Sequence, residues 1–535
     1  MAFTEFLRCT AECYKHITRR GVKEKNPIFS AKYFIHDLQP VSINFVLIII
    51  SDPVSRRDIE CCHGAKHANC MPIELPPEDE FYRSHSQSCV NFVRSLAGVR
   101  PDCRLGKIPV QTNALTSYID ANFVYGSNEK IGSLLREFKE GKLRTMPIYE
   151  GLKPILPLKK FQPDDGCIRP HRDLFCFLAG DNRVNEQLAL TMLHTVMLRE
   201  HNRIADQLCK LNPHWDDEKI YQETRAIVAA EVQHITYAEF LPRLLGRASI
   251  IQNGLGLQKQ GYSNKYNPTI DATVPAVFGA AAFRFGHSLL PETMERWSSS
   301  HTKISKPLKE VFQQPYDLNK PGWIDEYILG MLNQAAQAMD PFVTKEVTNH
   351  LFQEPAHDYG KDLASINIER AREHGIPSYA EYRKWCNLSS VDTWSDMQLV
   401  VDNNTVKMYR KFPTDVDLWS AGVAEIPEDG SIVGPTFNCI IARTFKDLKE
   451  GDRFWYENGE YPNSFTPSQL QEIRKVRLAR LLCDNSDSIV TIQPAAMKLP
   501  HEDQWILLGD ILLHGDIPDP KLYFKIIRPC YKNLK

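Results

Sequence analysis

Between Asn185 and Cys209 the apolar residues Leu190, Leu193, Val196, Met197 and Ile204 fall along one stripe, which predicts a long helix. A second helix is predicted after Trp215, where Asp216, Asp217 and Glu218 supply an acidic first turn. Ile220, Ile227, Val228 and Ile235 then share one face. Further helices are expected from Tyr327 to Met339 and from Ser468 to Cys483. Stretches rich in valine, isoleucine and threonine are short and scattered, so the pattern predicts a mainly α architecture: a single helical domain with long ordered loops. Residues 1–60 carry the least regular pattern. The division expected is an atypical N-terminal segment at 1–60, the helical domain at 61–490 and an atypical C-terminal tail at 491–535.

At 535 residues the chain can bury a large core, and its formal net charge of -2 offers no basic field for nucleic acid. The apolar run Phe45 to Ile50 is too short to span a bilayer. Fourteen cysteines without a paired CxxC grid point to disulfides, and hence to an oxidising compartment. Asn387-Leu-Ser and Asn403-Asn-Thr are glycosylation acceptors in an exported chain. Met1 to Arg20, however, holds charges and two cysteines but no apolar core of a signal peptide. The expectation is a secreted, extracellular protein whose native start is missing.

Two segments could carry chemistry. Phe283-Arg-Phe-Gly-His287 sets a histidine among apolar residues, and Asp181-Asn-Arg183-Val-Asn-Glu186 puts arginine and glutamate three apart on one helix face. Alone, the first is more often a satisfied core histidine and the second an exposed ion pair. His194 and His201, seven apart, share a helix face but lack the glutamate and one-turn spacing of a zincin.

The whole set carries more. The runs Asn113–Ser127, Phe177–Glu186, Leu193–Ala205, Phe283–Leu290, Asp362–Tyr379 and Gly451–Gly459 occur in order over residues 60–490. In these runs the chain resembles the animal haem peroxidase family, and within it the chorion-peroxidase and peroxinectin-like branch. The resemblance implies haem b on His287 as proximal iron ligand, with Asn367 accepting from its other ring nitrogen. It implies Arg183 as the catalytic distal arginine and Glu186 as a carboxylate that can form an ester to the haem. Arg284 and Arg370 match residues that pair with haem propionates, while Gln187 replaces a sulfonium-forming methionine. Thr116, Tyr118 (through its carbonyl), Asp120 and Asn122 match a calcium loop. Cys167–Cys176 and Cys386–Cys439 have the family's approximate spacings, and Cys62–Cys70 and Cys89–Cys103 are further expected bridges. Cys9, Cys13, Cys209, Cys483 and Cys530 are left without assigned partners.

The family's distal segment, W-G-Q-F-x-D-H-D, has no intact copy. Tyr33-Phe-Ile-His36-Asp37 would keep the histidine and the calcium aspartate; a competing alignment through Ile49-Ile-Ser-Asp-Pro53 keeps neither. The function implied is reduction of hydrogen peroxide and oxidation of small or phenolic donors, with tyrosine-rich matrix proteins as partners in crosslinking. The alternative is a haem-binding adhesion protein whose turnover is impaired by the missing distal histidine.

Overall fold

The computed structural model describes residues 59–62, 67–98, 110–160, 166–408, 413–459 and 461–499. His36, Asp37, Cys9, Cys13, Cys103 and Cys530 lie outside them. The helices that build the site are α1 (Leu188–Leu211), α2 (Asp217–Ile235), α3 (Leu241–Gln252), α4 (Trp323–Asn333), α5 (Leu363–Glu373), α6 (Tyr379–Trp385), α7 (Leu418–Ala424), α8 (Pro435–Glu450), α9 (Pro467–Ile473) and α10 (Leu478–Asn485). Strands are confined to three antiparallel pairs: β1 (Ile73–Glu74) with β2 (Cys89–Val90), β3 (Ala97–Gly98) with β4 (Val110–Gln111), and β5 (Thr293–Trp297) with β6 (Lys303–Pro307). The mainly α expectation holds. One core cluster runs from Phe92 to Met497, so the residues just beyond 490 still pack on it through Ala496 and Met497.

Local chemistry sets the helix ends. α1 was expected from Asn185 but starts at Leu188, because Asn182–Asn185 is a 3-10 turn and the Gln187 side chain caps Ala189 N at 2.7 Å. α2 starts where the acidic turn predicts, with Asp216 accepting from Lys219 N. It continues through a π-helical turn, Thr236–Phe240, into α3, which kinks at Gly246.

Two helix boundaries differ from expectation. α4 stops at Asn333 rather than Met339, because the Gln334 amide leaves the helix to bond Thr293 O and Glu295 N of β5. The helix expected over 468–483 is two helices. The buried Glu239 carboxylate accepts from Leu478 N at 2.9 Å, giving the second a start of its own.

Disulfides join Cys61–Cys70, Cys62–Cys89, Cys167–Cys176 and Cys386–Cys439. The last two are as expected. The expected Cys62–Cys70 and Cys89–Cys103 bridges are corrected: Cys61 takes Cys70, and Cys62 takes Cys89 on β2. Cys483 is also disulfide-bonded, while Cys209 is a free thiol. Among the described residues no helix is long and apolar enough to cross a membrane.

Candidate active site

Arg183 sits on the 3-10 turn that leads into α1. Its position is fixed by the residue two before it. Asp181 Oδ1 accepts from Arg183 N (2.8 Å) and Nε (2.9 Å), while Oδ2 accepts from Nη2 (2.5 Å). Both side chains are buried. Burial pushes the Asp181 carboxyl up, but the charge and hydrogen bonds of Arg183 outweigh it and hold the group below its ordinary 3.8. Sequence reasoning singled out Arg183 and Glu186 and missed Asp181, although the aspartate stands in the same motif. Glu186 is buried at the end of that turn, and its N–H donates to Arg183 O.

The loop from Thr116 to Asn122 packs directly against this turn. A Cβ on Gly180 would lie 2.3 Å from Asn122 O and 2.5 Å from Gly126 N, so only glycine permits the approach. Within the loop Thr116 Oγ1 and Asn122 N both donate to Asp120 Oδ1 at 3.0 Å. Asn122 Oδ1 is buried with no hydrogen-bond donor, an oxygen placed as a cation would need it. The Tyr118 ring is largely exposed, which leaves only its carbonyl as a candidate ligand.

His287 ends a second 3-10 turn, Ala282–His287, and is 1% exposed. The turn is pinned from α7, where Trp419 Nε1 donates to Arg284 O at 3.1 Å. α5 supplies the partners: Asn367 and Arg370, three apart, face inward together. Asn367 Nδ2 lies 2.7 Å from His287 Nδ1, and Asn367 Oδ1 accepts from Arg284 Nη1 at 2.8 Å. The amide presents its nitrogen, not its oxygen, to the ring, because a guanidinium can only donate and so claims Oδ1. Ligation through Nε2 calls for a proton on Nδ1 and an acceptor facing it. A half-turn of the Asn367 amide would supply that acceptor by giving up the Arg284 bond.

Arg284 and Arg370 meet at a cavity of about 150 Å³, together with Gln111, Asn113, Gly279 and His374. Arg370 is ion-paired with the buried Glu373 at 2.9 Å and also donates to Val93 O and Ser95 Oγ. Burial raises Glu373, yet its bonds to His374 and Arg370 bring it down to about 2, so it stays ionised. Glu373 therefore already meets the charge of Arg370, while Arg284 donates to Gly279 O and Asn367 Oδ1.

Among the described residues no group of three His, Cys, Asp or Glu side chains could hold a metal ion with His194 and His201. His201 Nδ1 is 2.8 Å from Tyr125 Oη and its Nε2 2.8 Å from Gly141 O, while His194 Nδ1 is held by Leu190 O. Gln187, at the position of the sulfonium-forming methionine, is occupied as the cap of α1.

A helical core that buries a histidine, a clamped arginine and an arginine-lined cavity defines a class of proteins. The animal haem peroxidase family matches residues 37–497, and the chain belongs to that family. It is 40% identical over 457 residues to a human peroxidasin homolog, covering 81% of this chain and 30% of that protein. To a chorion peroxidase of Aedes aegypti it is 37% identical over 444 residues, covering 80% of this chain and 54% of the relative. The chain thus spans from under a third to about half the length of these relatives. Among solved structures, Peroxidase A from Dictyostelium discoideum superimposes with a TM-score of 0.69 and 29% identity, over 87% of this chain and 89% of that one. A fatty acid alpha-dioxygenase from Arabidopsis thaliana (TM-score 0.64, 18% identity, 88% and 78% covered) shares the fold. Family membership brings haem as cofactor.

Proposed function

We propose that this chain is a secreted haem peroxidase that reduces hydrogen peroxide and oxidises phenolic donors, including tyrosine side chains of an extracellular matrix. One observation carries the reading within the family match: His287 is buried with Nδ1 held 2.7 Å from Asn367, whose Oδ1 accepts from Arg284, a residue lining the cavity that also holds Arg370. These residues fit haem. His287 would hold the iron, Asn367 would orient the ring, and Arg284 with Arg370 would face the propionates. Glu186, buried beside Arg183, would provide a single ester link. Thr116, the Tyr118 carbonyl, Asp120 and Asn122 would hold calcium, and the undonated Asn122 Oδ1 supports that assignment.

Bound haem supplies the two-electron reduction of peroxide and the one-electron steps back to rest. The protein's part is electrostatic and positional. Arg183, held in place by Asp181, which also offsets part of its charge, would donate where the departing hydroxide gathers negative charge. A guanidinium cannot accept peroxide's first proton near neutrality, so a separate base is required. His36 is the candidate.

Haem-loaded protein mixed with peroxide in a stopped-flow instrument should shift its Soret band and then couple tyrosine into dityrosine; an unmoved band refutes the assignment. The pH profile identifies the base. With His36 in that role the rate is already high at neutral pH, with a limb near about 6.5 that His36→Ala removes. Without any base the rate climbs with pH as solvent supplies the hydroperoxide anion.

A further inference from the structure

A cavity of about 270 Å³, sharing no lining residue with the arginine-lined one, borders the proposed calcium loop at Tyr118 and Asp120 and is walled further by Arg225, Asp452, Trp455 and Tyr456. A continuous file of aromatic rings joins it to the turn that carries His287. Phe283, four residues before His287, stacks on Phe278 at 4.4 Å, and both rings abut Phe445 of α8 at 6.1 and 5.9 Å. Phe445 meets Tyr237 at 5.9 Å, Tyr237 meets Trp455 at 4.7 Å, and Trp455 meets Tyr456 at 4.9 Å. These rings come from four separate stretches of chain and are buried, so packing alone accounts for their contact. Packing does not account for how the file ends. The Tyr456 hydroxyl is 2.9 Å from His234 Nδ1, a buried imidazole whose Nε2 has no partner.

The geometry points to a second donor-oxidation site: oxidising equivalents leave the haem pocket along this file, reach Tyr456, and are used on a phenol held in the 270 Å³ cavity. This inference rests on the proposed peroxidase reading, which supplies the oxidant. In the step, Tyr456 gives up one electron, which passes through Trp455 and Tyr237 and then tunnels across the phenylalanine rings, themselves too hard to oxidise, to the peroxide-oxidised haem. The Tyr456 phenolic proton passes to His234 Nδ1. The resulting neutral tyrosyl radical takes one electron from the bound phenol. The phenol's proton leaves to solvent as its radical departs to couple with another, and His234 returns its own proton to Tyr456.

Three features favour Tyr456 as the terminus. Burial brings His234 down to about 4, with Arg477 and Arg474 adding to the effect, so at neutral pH the ring is uncharged and, as a weak base, holds the phenol's proton only while Tyr456 is oxidised. Burial keeps the Tyr456 phenol protonated, so its proton must leave with the electron. The Lys449 ammonium lies 5.6 Å from the ring centres of both Tyr237 and Trp455 and opposes a lasting positive hole on either. A neutral radical on Tyr456 escapes that repulsion. The cavity has room for a phenol ring, so either a free phenol or a tyrosine displayed by a second protein could enter.

The test uses the haem-loaded chain with peroxide and no donor, read by low-temperature EPR and by a nitroso spin trap mapped by peptide mass spectrometry. The expected result is a tyrosyl signal and a trap adduct on Tyr456. In Tyr456→Phe both should be lost while the Soret band still responds to peroxide at the wild-type rate. Coupling of tyrosine attached to a dextran too large to enter the haem crevice should be lost with them, whereas a free small phenol should still be oxidised at the haem. Loss of free-phenol oxidation as well would mean that the cavity serves small phenols. His234→Gln keeps the phenol and removes its proton acceptor, so it should weaken the signal without altering the resting spectrum. Adducts confined to other residues, or a radical and dextran coupling that survive in Tyr456→Phe, overturn the relay. A Soret band that peroxide fails to move in the wild type overturns the peroxidase reading and the relay together.

Discussion

Replacing Arg183 by glutamine removes the one fixed charge on its turn and leaves Asp181 buried without its guanidinium. Two consequences of different size follow. The reaction with peroxide loses a preorganised electrostatic group, worth about 100- to 1,000-fold in rate, or about 2.7–4 kcal/mol. Stability falls by about 3–5 kcal/mol, the usual result of breaking one side of a buried ion pair. The second effect depends on pH. In the wild type Asp181 lies below its ordinary 3.8, so its contribution to stability is present above pH 3.8 and is lost as the pH falls through the lowered value. In the variant the upward push of burial is opposed by little more than the backbone N–H of residue 183. The penalty is then full at neutral pH and is relieved as the carboxyl takes up its proton on acidification. The stability gap between wild type and variant should therefore be wider at pH 8 than at pH 4. Asp181→Asn in the same chain should close most of the gap at pH 8 without restoring the peroxide rate. Urea titrations at the two pH values and stopped-flow Soret kinetics on both variants make the test. A stability gap independent of pH would refute the buried-pair reasoning, and a wild-type peroxide rate in the double variant would remove Arg183 from the reaction.

Three further outcomes are expected. Replacing Cys386 and Cys439 together by alanine opens a link spanning 53 residues and should lower stability by about 4 kcal/mol in denaturant titration, a value set by loop entropy. Glu186→Gln should release all haem into acidified butanone, whereas the wild type should retain a share bound to a single peptide; a second crosslinked peptide would contradict the single-ester assignment. Gly180→Ala should force the 116–122 loop away from the Arg183 turn, lowering calcium affinity in isothermal titration and the peroxide rate together, because the added methyl meets backbone rather than flexible side chain.

The helical stripe of α1 and the acidic start of α2 could be read from the sequence because each depends on neighbours a turn or a short motif away, whereas Asn367, 80 residues from His287, was reached only through the family resemblance. Features set by tertiary partners could not. α4 ends where Gln334 turns to β5, and α10 starts where Glu239, more than two hundred residues earlier, offers its carboxylate. Cys61 and Cys62 are adjacent, so spacing alone cannot tell which of them takes Cys70; the strand pairing of β1 with β2 brings Cys89 to Cys62. The amide of Asn367 turns its oxygen to Arg284, a preference that no motif encodes. His234 and Tyr456 are 222 residues apart, and their contact is a product of the fold alone.

The central claim is that His287 holds the haem. Titrating haem-free wild type and His287→Ala with haem, followed by Soret absorbance and by the low-temperature EPR of the ferric form, tests it most directly. The wild type should saturate at one equivalent with a histidine-ligated spectrum. His287→Ala should bind weakly or with a strongly shifted band, and exogenous imidazole should restore the wild-type position, because Asn367 still faces the emptied space. A variant whose affinity and spectrum match the wild type without imidazole would contradict the account.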